Sequence, residues 1–186
     1  MDKREQILQA ALKLFVEFGF HGTPTSKIAQ EAGVSNGTLF HYFKTKDELV
    51  MELFIHIKVN LAACFELEQK EGETVKNTFK RVYLVWVYWA LDSPVEFKFI
   101  KQFHSSPYLS MVSDQRIQDQ MSKLMGFMQD SIDARILKPL PVDFLFTLIN
   151  NHVDGLVEYL VATQLDNEKQ KEMIHLSFDL IWDMLT

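Results

Sequence analysis

The sequence predicts an all-α protein of about nine helices. Apolar residues recur at helical spacing through most of the chain, helix-opening signals precede those stretches, and no run of strict alternation bounded by turn residues suggests a strand. The first helix is marked by Ile7, Ala11, Leu14 and Phe18, widened by Leu8 and Phe15, with Asp2 and Glu5 at capping-box spacing and Gly19 as a stop. A short helix follows from Thr25, expected as its N-cap, to Ala32 and stops at Gly33. The next runs from the N-cap Ser35 to about Tyr42. Thr45 and Glu48 form a second capping box. They open a long helix whose Leu49, Leu53, Ile57, Leu61 and Cys64, with Val50, Phe54 and Phe65, keep one face apolar. Residues 73–92 are apolar nearly all round, which predicts a buried helix. Ser93-Pro94-Val95-Glu96 then combines an N-cap, a first-turn proline and a capping-box glutamate. Residues 113–137 repeat at Ile117, Met121, Leu124, Met128 and Ile132 until Pro139 and Pro141. Helices over about 141–165 and 167–185 complete the chain.

Composition narrows the function. The chain has 186 residues, 47% hydrophobic and 24% charged, an ordinary globular balance rather than that of a disordered chain. The single cysteine, Cys64, allows no internal disulfide and fits a reducing cytosol. Charges interrupt the apolar residues of the N-terminus, so no secretory signal is expected. The longest apolar run, Val82 to Leu91, is about half a membrane span. These readings place the protein in the cytoplasm, away from a membrane. The net charge of −6 argues against a polyanionic partner only until it is divided. Residues 1–46 hold six cations and four anions and carry +2, while residues 47–186 carry −8. The front of the chain is therefore the part suited to meet a polyanion.

The informative stretch is 25–49. Two short helices are joined by a tight turn, with Ile28 and Ala29 facing the core and small Ala29 letting the second helix cross closely. Gly33 tolerates the left-handed backbone of such a turn, Val34 fills the angle between the helices, and Ser35 caps the second. This pattern fits a helix-turn-helix whose second helix enters the major groove N-terminus first. It also fits a generic helical hairpin. Under the first reading Asn36 and Thr38 stand near base edges, and Lys44 and Lys46 stand at a distance suited to phosphates.

The combination Thr25-x-x-Ile28-Ala29-x-x-Ala32-Gly33-Val34-Ser35-x-Gly37-Thr38-Leu39-Phe40-x-Tyr42-Phe43-x-x-Lys46-x-x-Leu49 resembles the DNA-binding signature of TetR-family repressors. The resemblance covers about 25 contiguous residues in detail. It implies a homodimer with a three-helix DNA-binding head over 1–46 and a helical effector-binding and dimerisation body over 47–186. By position it places Thr25, Ser26 and Lys27 beside the backbone and groove edge. Asn36, Gly37 and Thr38 become the base-proximal residues of the recognition helix that Ser35 caps, and Lys46 a phosphate contact opening the fourth helix. Where the family often has Tyr, this chain has Phe40, which cannot donate a hydrogen bond; Tyr42 or His41 compensates, or one contact is missing. His41 is either a base or phosphate contact or merely an exposed histidine.

Residues 79–108 hold nine aromatic residues, and methionines follow. The resemblance places the effector pocket among the middle helices, which predicts an apolar chamber lined by some of Trp86, Trp89, Phe99, Phe103, Tyr108, Met121, Met125 and Met128. Plain core packing is the competing reading of each. Asp92 or Glu96 would suit a cationic effector, and Arg81, Lys98 or Lys101 an acid. The last two helices are expected at a dimer interface through Phe144, Leu148, Gly155, Leu156 and Tyr159 on one and Ile174, Phe178, Ile181 and Leu185 on the other. Intramolecular packing is the alternative. His152 reads as a satisfied buried histidine or as a sensor of ligand or pH.

Metal and catalytic chemistry lack parts. Cys64 and the six histidines show no ligand spacing, and there is no nucleophile elbow or phosphate-binding glycine loop. The sequence therefore predicts a non-enzymatic regulator with no cofactor, most simply a repressor released from palindromic double-stranded operator DNA by a largely apolar or aromatic effector. A helical small-molecule-binding protein or enzyme with a vestigial head is the alternative.

Overall fold

In the computed structural model, which describes residues 2–65, 67, 70–112 and 115–186 (without the side chains of 115–117, 120 and 121), every regular element is helical. The order is α1 Lys3–Gly22, α2 Thr25–Glu31, α3 Asn36–Tyr42, α4 Lys46–Ala63, α5 Val75–Asp92, α6 Pro94–His104, a 3₁₀ turn Pro107–Met111, α7 Gln115–Asp133, α8 Val142–Thr163 and α9 Asn167–Leu185. The described residues thus form nine α-helices. The 3₁₀ turn has no counterpart in the sequence reading.

The helix ends follow local chemistry, with three departures from expectation. Asp2 caps α1 by accepting from the Arg4 amide at 3.3 Å. Gly19 interrupts α1 rather than ending it: its φ of 73° and ψ of 169° break the helical path, and the chain turns helical again to Gly22. Buried Thr23 takes up the freed carbonyls, its hydroxyl donating to Gly19 at 2.8 Å and Leu14 at 3.1 Å. Second, Thr25 is the first residue of α2, and Pro24 holds the N-cap position, with its carbonyl accepting from the Lys27 and Ile28 amides. Third, Ser93 stands at the N-cap of α6 without a side-chain hydrogen bond, leaving Pro94 to set the start. Thr45 behaves as expected and accepts from the Glu48 amide at 3.0 Å. The Glu48 carboxylate reaches back one residue further, to the Lys44 amide at 2.6 Å.

Packing divides the chain elsewhere than between residues 46 and 47. One compact unit contains residues 1–60 and 93–117, and the other 61–92 and 118–186. The first unit takes in α6 because α6 lies along α1 and joins its core. Phe99 meets Phe15 and Phe20, and the Gln102 amide donates to the Val16 carbonyl at 3.2 Å. Phe103 stacks face to face on Phe54 of α4, 3.8 Å between centroids. In the second unit α5 packs on α8 and α9, burying Val82, Tyr83, Trp86 and Val87 with Val153, Val157, Ile174 and Phe178. Gln164, in the left-handed conformation, ends α8, and Asp166 caps α9 through the Lys169 amide at 2.9 Å. This short connection makes α8 and α9 antiparallel neighbours. Among the described residues, no helix is long and apolar enough to cross a membrane.

Candidate nucleic-acid interface

The first unit builds one surface from two short helices and a turn. Helix α2 ends in paired backbone bonds, Gly33 N–H to the Gln30 carbonyl at 3.1 Å and Val34 N–H to the Ala29 carbonyl at 2.9 Å. That closure requires a left-handed residue, and Gly33 supplies it with φ of 65°. Two residues later the Ser35 hydroxyl accepts from the Thr38 amide at 3.0 Å and opens α3. Ile28, Ala29, Leu39 and Phe43 are buried, with α2 packed on both α1 and α3. With Leu39 and Phe43 inward, the opposite side of α3 is exposed: Asn36, Gly37, Phe40, His41 and Tyr42, with Thr38 half-buried. A short helix with a buried back and a small, polar N-terminal front is the shape that reads a major groove. Removing the cap should show this organisation directly. Ser35→Ala is expected to cost about 1 kcal/mol of stability, measured by urea denaturation.

The cations around α3 are sorted by their partners. Arg4 pairs with Glu52 at 2.7 Å and Lys13 with Glu31 at 2.6 Å, which lowers the Glu31 carboxyl and raises the Lys13 ammonium. Lys27, Lys44 and Lys46 form no ion pair among the described residues. Lys27 lies 3.5 Å over the face of exposed Phe18 at the α1 end, and the Lys44 ammonium donates to the His41 carbonyl at 3.4 Å. Three unneutralised lysines therefore flank α3. Phe40 is 41% exposed and offers only an apolar ring, while Tyr42 keeps its hydroxyl on the same helix, with the His41 ring edge-on to it.

Residues 7–53 match the sequence model of bacterial regulatory proteins of the tetR family. A crystal structure described as a TetR family transcription regulator from Shewanella sp. PV-4 superposes with a TM-score of 0.89 at 28% identity, covering 100% of this chain and 98% of that one. The chain resembles the TetR family of DNA-binding transcriptional regulators, in sequence over residues 7–53 and in fold along its length. Among its TetR-type relatives, the fatty acid metabolism regulator protein of Bacillus subtilis is 38% identical over 75 residues, 40% of this chain and 39% of that protein. The match therefore spans about two fifths of that relative. The HTH-type regulator YhgD of the same organism is 27% identical over 149 residues, 75% of this chain and 74% of that one.

The second unit holds an apolar cavity of about 40 Å³, partly open to solvent. Trp86 and Met128 line it, as do Phe79, Val82, Tyr83, Leu124, Phe146, Ile149, Phe178, Ile181, Trp182 and Leu185. The other expected lining residues stand elsewhere. Phe99, Phe103 and Tyr108 belong to the first unit, where they pack with Phe15, Phe20 and Phe54. Trp89 and Met125 are half-buried and off the cavity wall, and the Met121 side chain lies outside the described residues. None of the candidate charged groups lines the cavity either. Arg81 is paired with Glu73 at 3.0 Å, a bond that holds the Glu73 carboxyl down at about 2. Asp92 and Lys98 are exposed.

A chain of hydrogen bonds runs from the cavity residue Tyr83. The Tyr83 hydroxyl donates to Ser177 Oγ at 3.0 Å, and His152 Nε2 lies 2.7 Å from the same oxygen and 3.1 Å from the Ser177 carbonyl. Burial pushes the Tyr83 phenol up to about 12 and lowers His152, against the opposing Ser177 carbonyl. His152 is thus a satisfied histidine bridging α8 and α9.

The expected dimer face needs a correction on α9. Ile174, Phe178, Ile181 and Leu185 are each at most 3% exposed within a single chain, so they form the unit's own core and are unavailable to a partner. The apolar residues that α9 exposes are Leu176, Leu180 and Met184. On α8, Phe144 and Tyr159 are exposed and Leu148 is half-buried, whereas Leu156 is buried. A Cβ built on Gly155 would meet nothing within 4 Å. The amphipathic pattern of α9 shows two apolar stripes, and periodicity alone cannot say which one a chain keeps for itself.

Proposed function

We propose that the protein is a repressor that binds a palindromic operator as a homodimer in the cytoplasm and leaves it when a neutral, apolar effector enters the second unit. The observation carrying this reading is the exposed N-terminal half of α3, capped by Ser35 and flanked by Lys27, Lys44 and Lys46 without carboxylate partners. Thr25, Ser26 and Lys27 approach the backbone, Asn36, Gly37 and Thr38 the base edges, and Lys44 and Lys46 the phosphates. Phe40 gives up a phosphate bond and offers its ring to a thymine methyl or the groove wall. Two heads of a dimer reach successive major grooves about 34 Å apart. The effector is uncharged where it is buried, because the surface that the cavity wall presents is apolar. The Bacillus subtilis relative is named for fatty acid metabolism, and an acyl chain suits such a wall. A hundredfold release of the operator requires about 2.7 kcal/mol of coupling between the two sites.

Binding to the duplex spanning the protein's own promoter tests the reading. With about three lysine contacts per head, the log–log salt slope is expected near −5, and Lys46→Ala should bring it closer to zero by about 2 per dimer. No binding at low salt would overturn it in favour of a ligand-binding protein with a vestigial head.

A further inference from the structure

Asp47 is an awkward residue for a nucleic-acid surface. It is exposed and directly follows Lys46 in the first turn of α4. A carboxylate there suits the positive end of the helix dipole. It also repels a phosphate as strongly, at equal distance, as Lys46 attracts one. The first unit gives this carboxylate a donor, the Tyr108 hydroxyl, which reaches Asp47 Oδ1 at 2.6 Å. The donor sits on a rigid mount. Its ring meets Phe20 edge-on at 5.3 Å and stacks on Phe103 at 6.2 Å, and its amide donates to Ser106 Oγ at 3.3 Å. Phe103 in turn stacks on Phe54, two turns beyond Asp47 on α4. The 3₁₀ turn after α6 therefore holds one oxygen of one carboxylate from a fixed position.

We propose that Tyr108 is a positioning residue for operator binding: its hydroxyl fixes the Asp47 carboxylate on the 3₁₀ turn so that Lys46, and not Asp47, meets the phosphate. This rests on the operator-binding reading above. A tyrosine is required because phenylalanine would preserve the packing against Phe20 and Phe103 while leaving the carboxylate free to swing toward Lys46 and the DNA. The bond is of the charge-assisted kind, short and directional, and so able to hold one rotamer.

The full-length protein is titrated with the duplex spanning its own promoter between about 50 and 200 mM salt. Tyr108→Phe is expected to bind about fivefold more weakly at low salt, with a slope shallower by about 1, and to melt with the wild type. Asp47→Asn should bind at least as tightly as wild type, and adding Tyr108→Phe to it should cost less than about twofold, since no carboxylate remains to be released. Wild-type affinity and slope in Tyr108→Phe would overturn the proposal. So would a fivefold loss that persists in the Asp47→Asn background, because the tyrosine would then act through packing alone. If wild type itself fails to bind the duplex, the operator reading falls and takes this one with it, an outcome visible before any variant is made.

Discussion

Phe103→Ala is expected to lower the free energy of unfolding by about 3–5 kcal/mol and the melting temperature by about 10 °C. Phe103 is 0% exposed, and its ring lies parallel to Phe54 with 3.8 Å between centroids, beside Phe99 and Tyr108. Truncation removes a ring from the middle of an aromatic cluster whose other members are anchored on α1, α4 and α6, so the site cannot collapse to fill the void. The loss comes from buried area and the void left behind, because a face-to-face pair gains less from ring electrostatics than an offset or edge-on one. Phe40→Ala is the comparison, because that ring is 41% exposed on α3 and should change stability by no more than about 0.5 kcal/mol. Urea denaturation of both variants checks the pair. A loss below about 1 kcal/mol at Phe103 would show that the cluster relaxes and that α6 is not fixed by this contact.

That contrast also explains what the sequence could tell. The helix-turn-helix was legible because its determinants are local. Gly33 is needed by a left-handed turn, Ser35 by an orphan amide, and Leu39 by the back of a seven-residue helix, all within a dozen positions. The aromatic residues of 79–108 carried no such label. Phe79, Tyr83 and Trp86 on α5 line the cavity of one unit, while Phe99, Phe103 and Tyr108 on and after α6 build the core of the other. Ring density along the chain is the same in both cases. Only the packing of α6 against α1 separates them, and that is a long-range contact. Other walls of the cavity come from α8 and α9, more than forty residues beyond α5: Phe178 and Ile181 were read as interface for the same reason, and Phe146 and Trp182 carried no signal that singled them out.

The same ambiguity on α9 yields the second large effect. If the proposed homodimer closes through the exposed α9 stripe, Leu180→Asp is expected to give a folded monomer in sedimentation and to weaken operator binding by about 10²–10⁴. Leu180 is 61% exposed in the single chain and Leu176 51%, so a charge at residue 180 meets water and leaves the chain's own packing intact. In a dimer closed by that stripe, the carboxylate would be buried against apolar side chains without a partner, a cost of several kcal/mol on each protomer. A monomer reaches one half-site only and loses the second head's effective concentration. Phe178→Asp separates the alternatives. At 2% exposure it should unfold the second unit outright, with loss of far-UV circular dichroism, rather than dissociate a dimer. A Leu180→Asp protein that still sediments as a dimer would move the interface off α9. Gly155 then becomes the next position to test on α8. Alanine there meets nothing within 4 Å of its own chain and should stabilise the helix by about 1 kcal/mol. A dimer that is nonetheless weakened by Gly155→Ala would place the close approach between protomers at that turn.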